Sequence, residues 1–334
     1  METPSEALIQ PHQILIISED TCQKVIGRPE AFQAVESVFS SMAKGSAHNF
    51  PVVREAIGHA GALYGFKSGF DREGLVLGVK AGGYWPSNVV KGLTNHQSTV
   101  ALFDPNTGQL KALVGGNYLT AIRTAASSAV SIAHLARKNA KVLGMIGAGF
   151  QSTFQLRAAI EQRDFEKVVA WNTHPEHLTR LADVCREHDL PFEAVSLQAL
   201  GAQSDVIITI TSASEPLLQA GWIKPGTHLA CMGTDTKGKQ EIDHRLLAQA
   251  TVFTDEIDQS ISIGEAQHAV AARVLRAEQI TPIGEVINGS HQGRQSEQEI
   301  TLFDGTGVGL QDLAVASAAA SIAEARGLVQ RVTL

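Results

Sequence analysis

A chain of 334 residues exceeds what one ordinary core supports and is expected to form two domains of about 150 residues each. Hydrophobic residues at 44% against charged residues at 18% exclude a disordered polymer, and a formal charge of -7 denies the chain the basic field that a nucleic-acid backbone or an anionic membrane surface requires. Cys22, Cys185 and Cys231 stand far apart without a CxxC pair, so neither a zinc knuckle nor a disulfide framework is expected, and a reducing cytoplasm suits them.

At the start, Met1 to Pro11 carries Glu2 and Glu6 and has no cationic segment leading into a long apolar one, so it does not read as a secretory signal. Ile14 to Ile17 is strand-length, and no run approaches the ~20 apolar residues that cross a bilayer. Glu30 to Ala43 sets Phe32, Val35, Val38, Phe39 and Met42 at helical spacing, while Leu75 to Val79 and Thr99 to Phe103 read as strands. The turn Asp104-Pro105-Asn106-Thr107-Gly108 lies between two such apolar runs and predicts a hairpin. This mixture makes the first domain α+β.

Tyr118 to Arg137, rich in Ala with Leu119, Ile122, Val130 and Ile132, predicts a buried helix bridging the domains. Beyond it, Val142 to Ile146, Lys167 to Trp171, Asp205 to Ile210 and His228 to Met232 alternate with helical stretches, the pattern of a parallel sheet covered on both faces. Ile300 to Phe303 adds a strand, and Asp304-Gly305-Thr306-Gly307 leads into an Ala-rich helix from Val308 to about Ala325, expected to pack back on the first domain. The most loop-like stretch is Asn288 to Gln298.

The segment Gly147-Ala148-Gly149-Phe150-Gln151-Ser152 follows an apolar strand and opens a helix, matching GxGxxG with a small serine in place of the third glycine. Its glycines allow a tight turn and close backbone approach, and the helix starting near Phe150 aims free amide hydrogens and a positive dipole end at a pyrophosphate. A bound dinucleotide is therefore expected. The next strand ends Trp171-Asn172-Thr173-His174-Pro175, without the acid that holds ribose hydroxyls. Asn172 can hydrogen-bond a ribose, and no arginine adjoins it to hold a 2′-phosphate, although His174 could do so weakly. On this ground the choice between NADH and NADPH stays open. His174 and His177 form an HxxH, but beside Pro175 at a helix start they read as surface histidines, and no metal site is expected.

Arg54, Lys67, Lys80 and Arg123 fall inside or beside apolar or glycine-rich stretches. Any one of them alone reads as a salt-bridged structural residue; the four together favour a pocket for a carboxylated substrate, because buried cations need anionic partners. Asp235 follows the apolar run Leu229 to Met232 at the carboxyl edge of the predicted sheet, which makes it a candidate proton-transfer group.

These motifs converge. Lys80 in Leu77-Gly78-Val79-Lys80, the Asp104 turn, Arg123-Thr124-Ala125-Ala126, the Gly147 turn, Asp235 to Glu241 and Asp304 to Asp312, in this order over nearly the whole chain, resemble the ornithine cyclodeaminase/μ-crystallin family. The resemblance implies a homodimer with a Rossmann domain at 126-307 and a substrate-binding and dimerisation domain from 1-125 with 308-334. It implies amino-acid and imine interconversion with nicotinamide. By motif, Arg54, Lys80 and Arg123 correspond to substrate-carboxylate contacts and Asp235 to the acid/base. Thr124, Gly147, Gly149, Phe150, Gln151, Asn172, His174, Thr211, Ser212, Gly233, Lys239 and Thr306 fall on the cofactor path.

The departures narrow the substrate. Where many relatives carry Met-Pro-Ala, this chain carries Tyr64-Gly65-Phe66-Lys67-Ser68-Gly69-Phe70, which adds a cation and implies a second acidic group on the substrate. This segment's neighbours, Asn49 to Glu55, Ala81 to Pro86, Asn95 to Thr99 and Gly233 to Gln240, look like those of the family's iminosuccinate reductases of the β-hydroxyaspartate pathway, which make L-aspartate with NADH. Other ketimine or pyrroline-carboxylate reductases, alanine dehydrogenases, ornithine cyclodeaminases and a non-catalytic binding protein are the alternatives. In the ornithine-type members the Asp304 motif continues with Ser, where this chain has Gly305.

Overall fold

The computed structural model describes residues 12-334, and the reading of Met1 to Pro11 lies outside them. Two eight-stranded sheets organise the chain. The first contains β1 (Gln13–Ile17), β2 (Ala47–Asn49), β3 (Val53–Ala56), β4 (Leu63–Asp71), β5 (Val76–Tyr84), β6 (His96–Phe103) and β7 (Leu110–Gly115). The second contains β8 (Val142–Ile146), β9 (Lys167–Trp171), β10 (Phe192–Ala194), β11 (Val206–Thr209), β12 (His228–Cys231), β13 (Thr251–Thr254), β14 (Ile280–Pro282) and β15 (Thr301–Asp304). Strand β16 (Gln330–Thr333) returns to the first sheet and pairs antiparallel with β1.

The second sheet is parallel throughout, in the order β10-β9-β8-β11-β12-β15-β13-β14. Its chain runs outward from β8 to β10 and then restarts at β11 on the other side, so β8 and β11 flank the switch point at which ligands of open α/β sheets bind. This is a Rossmann-type sheet. Its central strands are buried along their length, as helices on both faces require.

The first sheet is mostly antiparallel, and its hairpin forms where the Asp104 turn predicts it, with Gly108 at φ +75 closing the turn. Strand boundaries here differ from expectation: the strand predicted from Thr99 begins at His96. Leu75 sits in a turn at φ +49, so the strand predicted from Leu75 begins at Val76 and runs on to Tyr84. The helix Asn117–Leu135 passes between the sheets and is buried almost all the way round, which its Ala and Ser content makes sterically possible.

The C-terminal helix Gly309–Ala325 packs on β4 and β5. The register there explains why: Gly69 stands opposite Gly78, and a Cβ at either position would come within 2.9 Å and 2.8 Å of Leu310 and Leu313 respectively. Absent side chains at this pair let the helix rest directly on the strands. Among the described residues, no helix is long and apolar enough to cross a membrane.

Candidate active site

Cross-strand register builds the site. Lys67 on β4 stands opposite Lys80 on β5, two residues from the Gly69–Gly78 pair. Two residues the other way, Gly65 stands opposite both Arg54 on β3 and Gly82 on β5. Directly opposed residues share a face and alternate residues return to it, so Arg54, Lys67 and Lys80 all project from one side of the sheet.

The two helices supply the rest. Lys80 Nζ donates to Asp312 Oδ1 at 2.9 Å and to Thr120 Oγ1 at 2.6 Å. Arg123 Nε donates to the same Asp312 oxygen at 3.0 Å and Nη1 to Gln311 Oε1 at 3.0 Å. Lys67 Nζ donates to the carbonyl of Gly307 at 2.6 Å, and Gly307, at φ +78, backs onto Arg123 so closely that a Cβ would lie 2.8 Å from Nη1. Arg54 Nη1 reaches Asp235 Oδ2 at 3.3 Å and Thr236 Oγ1 at 3.1 Å, and Lys239 Nζ meets Asp235 Oδ1 at 2.7 Å. The four cations and Asp235 are therefore one constellation spanning the two sheets.

Its electrostatics separate the groups. Burial pushes the Lys80 ammonium down to about 8, with Asp312 opposing the fall and Arg123 and Lys67 adding to it. Lys67 is lowered for the same reason, burial first and then Arg123. Burial would raise the Asp312 carboxyl, but Arg123, Lys80 and Lys67 bring it down to about 2. Burial also works against ionised Asp235, yet Lys239, Arg54 and Lys67 hold it well below the usual carboxylate range. His96, at the start of β6, is pushed down to about 3 by burial and by Lys80, so it faces this group as a neutral ring.

The glycine turn meets the demands of a dinucleotide. Gly147 adopts φ +105 with no room for a Cβ, which would lie 2.5 Å from the Ile210 carbonyl, whereas Gly149 opens onto free space. Among the described residues the amide hydrogens of Gly149, Phe150 and Gln151 have no acceptor, and the buried Oε1 of Gln151 has no partner. These free backbone donors, ahead of the helix Ser152–Ile160, fit a pyrophosphate group, while the Gln151 oxygen, an acceptor, needs a donor such as a hydroxyl. Phe150 is exposed at the mouth of the turn, its ring 5.5 Å from Phe154.

Asn172 uses its carboxamide on this turn: Oδ1 accepts from Ala148 N at 3.0 Å and Nδ2 donates to the His174 carbonyl at 2.8 Å. His174 is exposed beside Glu176, at the outer end of β9 and apart from the cation cluster. Thr124 lies one residue from Arg123 and bonds the Thr120 carbonyl. At the ends of β11 and β12, Thr211 N and Gly233 N both donate to buried Glu241, at 2.6 Å and 2.9 Å, and Ser212 beyond them is exposed. Lys239 ties the Gly233 carbonyl at 3.1 Å. Thr306 is buried and turns its hydroxyl onto Asp255 at 2.6 Å. Gly305 has its own cause, since a Cβ there would lie 2.6 Å from Met232.

Sequence reasoning missed Asp312 and Glu241 as working parts of the site. The signal for each was an acid in an apolar surrounding, which must find a donor or a cation when buried.

Comparison with known proteins places these features. Residues 14–325 match the model of the ornithine cyclodeaminase/mu-crystallin family. The chain is 59% identical over 321 residues to the iminosuccinate reductase of Paracoccus denitrificans (strain Pd 1222), covering 96% of this chain and all of that one. The crystal structure of the Paracoccus denitrificans enzyme in complex with NAD+ superposes with a TM-score of 0.94, over 97% of this chain and 100% of the other, at 58% identity. An archaeal alanine dehydrogenase dimer with bound NAD gives a TM-score of 0.91 at 31% identity, covering 96% and 99%. A Thermococcus litoralis pyrroline-2-carboxylate reductase with NADH and L-proline gives 0.90 at 28%, covering 96% and 100%.

Proposed function

The chain belongs to the ornithine cyclodeaminase/mu-crystallin family, and from that premise we propose that it is an NAD-dependent enzyme that reduces iminosuccinate to L-aspartate. The observation that carries this reading is the convergence of Arg54, Lys67 and Lys80 from one face of the sheet with Arg123 from the helix Asn117–Leu135, with Asp235 beside Arg54. A monocarboxylate imine has no use for the fourth cation, whereas two carboxylates call for several.

In this reading Arg54, Arg123 and Lys67 bind the two carboxylates and Lys80 gives its proton to the imine nitrogen, while Asp235 stays ionised and favours the positively charged, electrophilic iminium. NADH, when bound, supplies the hydride to the imine carbon. One hydride and one proton convert C=N to the amine of L-aspartate. Lys80 suits the donor's part because it carries its proton near neutral pH and yields it readily. Gly147, Gly149, Phe150 and Gln151 hold the pyrophosphate, and Asn172 sets the height of the turn. That no arginine adjoins Asn172 favours NADH over NADPH.

Residues 1-125 with 308-334 would form the substrate and dimerisation domain and 126-307 the nucleotide domain, in a cytoplasmic homodimer serving the β-hydroxyaspartate pathway. The dimer is supported by the apolar surface that Val53, Tyr64, Phe66, Tyr84, Val89 and Val90 leave exposed on the first sheet and its adjoining loop. The deciding experiment follows cofactor oxidation with iminosuccinate generated in place, against pyruvate plus ammonia and cyclic ketimines, each with NADH and NADPH. Iminosuccinate with NADH is expected to be fastest. Lys67→Ala should raise KM for iminosuccinate about tenfold or more and leave monocarboxylate imines nearly unaffected; equal effects on both would remove the dicarboxylate reading.

A further inference from the structure

We propose that Asp312, carried by the C-terminal helix, is a positioning residue for the reduction: it keeps the proton on Lys80 and the guanidinium of Arg123 in place through one shared oxygen. The inference rests on the reaction proposed above. Asp312 is 1% exposed, and its Oδ1 accepts from Lys80 Nζ at 2.9 Å and from Arg123 Nε at 3.0 Å, while Oδ2 has no partner among the described residues. One acceptor thus serves two cations that sit on different elements of the fold.

Among the described residues, the other ionisable groups that act most strongly on Lys80 oppose its charge or are silent. Arg123 comes from the helix Asn117–Leu135 and Lys67 from β4, and both are cationic; His96 from β6 is neutral. Thr120 accepts from Lys80 but carries no charge, and passes its own hydrogen to the Gly116 carbonyl at 2.6 Å. Asp312 is therefore the anion that offsets burial at Lys80 in the substrate-free site. Without it, an ammonium with few water contacts faces two like charges and gives up its proton at lower pH.

The helix that brings Asp312 can do so because Gly69 and Gly78 leave the strands bare beneath Leu310 and Leu313. Lys67 and Lys80 are the next residues on the same face, one step along both strands. The glycine pair and the ion pair are consecutive rows of one ladder, so the packing of the last helix and the protonation of Lys80 are linked by geometry.

The test compares the pH dependence of kcat/KM for iminosuccinate between the natural protein and Asp312→Asn. The alkaline limb reports loss of the Lys80 proton and is expected to move to lower pH by about one unit or more, a tenfold loss at the alkaline end for each unit. The substrate's own titration is common to both proteins and cancels. Asp312→Glu keeps the charge on a longer arm and should move the limb the same way by less, so the order natural, Glu, Asn is the signature. Should Asp312→Asn fail to give a cooperative thermal transition, Asp312→Glu alone decides, and a natural limb there overturns the assignment. A limb unmoved in two folded variants also overturns it, leaving Asp312 a structural residue. If the natural protein does not reduce iminosuccinate at any pH, the proposed reaction fails instead, so the two failures are told apart.

Discussion

Arg54 and Asp235 meet between the two sheets, Nη1 to Oδ2 at 3.3 Å, and the same nitrogen also reaches Thr236 Oγ1 at 3.1 Å. A substrate carboxylate that takes Arg54 must compete with this pair. Arg54→Ala removes a charge-assisted bond of about 1.5–3 kcal/mol, so KM for iminosuccinate should rise roughly 10- to 100-fold. It also removes one of the cations that hold the Asp235 carboxyl low. Asp235 should therefore take up its proton at a higher pH in this variant than in the natural protein. Steady-state kinetics at neutral pH would check the rise in KM, and an unchanged KM would remove Arg54 from the substrate site.

The bare row under the last helix makes a second expectation. A methyl at Gly78 would lie 2.6 Å from the Ala101 carbonyl and 2.8 Å from Leu313. Overpacking of this kind costs about 1–3 kcal/mol, or roughly 2–4 °C in Tm for each kcal/mol. Gly78→Ala should lower Tm by that amount and lower activity too, because the helix that shifts carries Asp312. Gly221→Ala is the matched control, since a Cβ there meets nothing within 4 Å. Calorimetry on both variants would decide, and equal Tm values would show that the helix is not seated on the glycine pair.

The contrast between β8 and β4 explains what the sequence made legible. Val142–Ile146 and Lys167–Trp171 were predicted to the residue, because strands buried on both faces are short apolar runs with clear ends. Leu63–Asp71 was not read as a strand at all: Gly65, Lys67, Ser68 and Gly69 break the apolar pattern. Those residues are there for the site. Gly69 receives the helix and Lys67 faces Lys80, so function has displaced the strand signal. The cations were visible as misplaced charges, but their anion was not. Asp312 lies in a helix so rich in Ala that its face cannot be read from periodicity, and only the fold brings it to residues 189 and 232 positions earlier.

Cofactor choice turns on Asn172. Its Oδ1 holds Ala148 N at 3.0 Å, a bond that a carboxylate can also accept, while Nδ2 donates to the His174 carbonyl. Asn172→Asp keeps the first bond, loses the second and places a negative charge at the end of β9, where the adenine ribose of a dinucleotide lies in this fold. Repulsion of a 2′-phosphate should lower kcat/KM with NADPH by about tenfold or more, with NADH changed by only a few-fold. Parallel loss with both cofactors would mean that the carboxamide serves the turn alone.

Asp304 supplies a prediction about stability rather than rate. It is fully buried at the end of β15, where Oδ2 accepts from Ser260 Oγ at 2.6 Å and from Ala266 N at 3.2 Å, while Oδ1 has no partner among the described residues. Burial pushes its carboxyl up to about 7, with Asp255 adding to the rise. In the unfolded chain the same group titrates near 3.9. Between those values the folded protein binds the extra proton, so stability falls as pH rises from about 4 to about 7, and the loss is complete just above. Asp304→Asn cannot ionise. It carries a constant cost for its imperfectly matched amide, but escapes the loss that develops as pH rises. The difference in Tm between variant and natural protein should therefore shift in the variant's favour from pH 5 to pH 8 and then level off. Glu241 and Glu265, also raised by burial, titrate in both proteins and leave the sign of this difference unchanged. Thermal unfolding at four pH values would measure it, and a difference that did not change with pH would mean that Asp304 is already ionised in the folded state at pH 5.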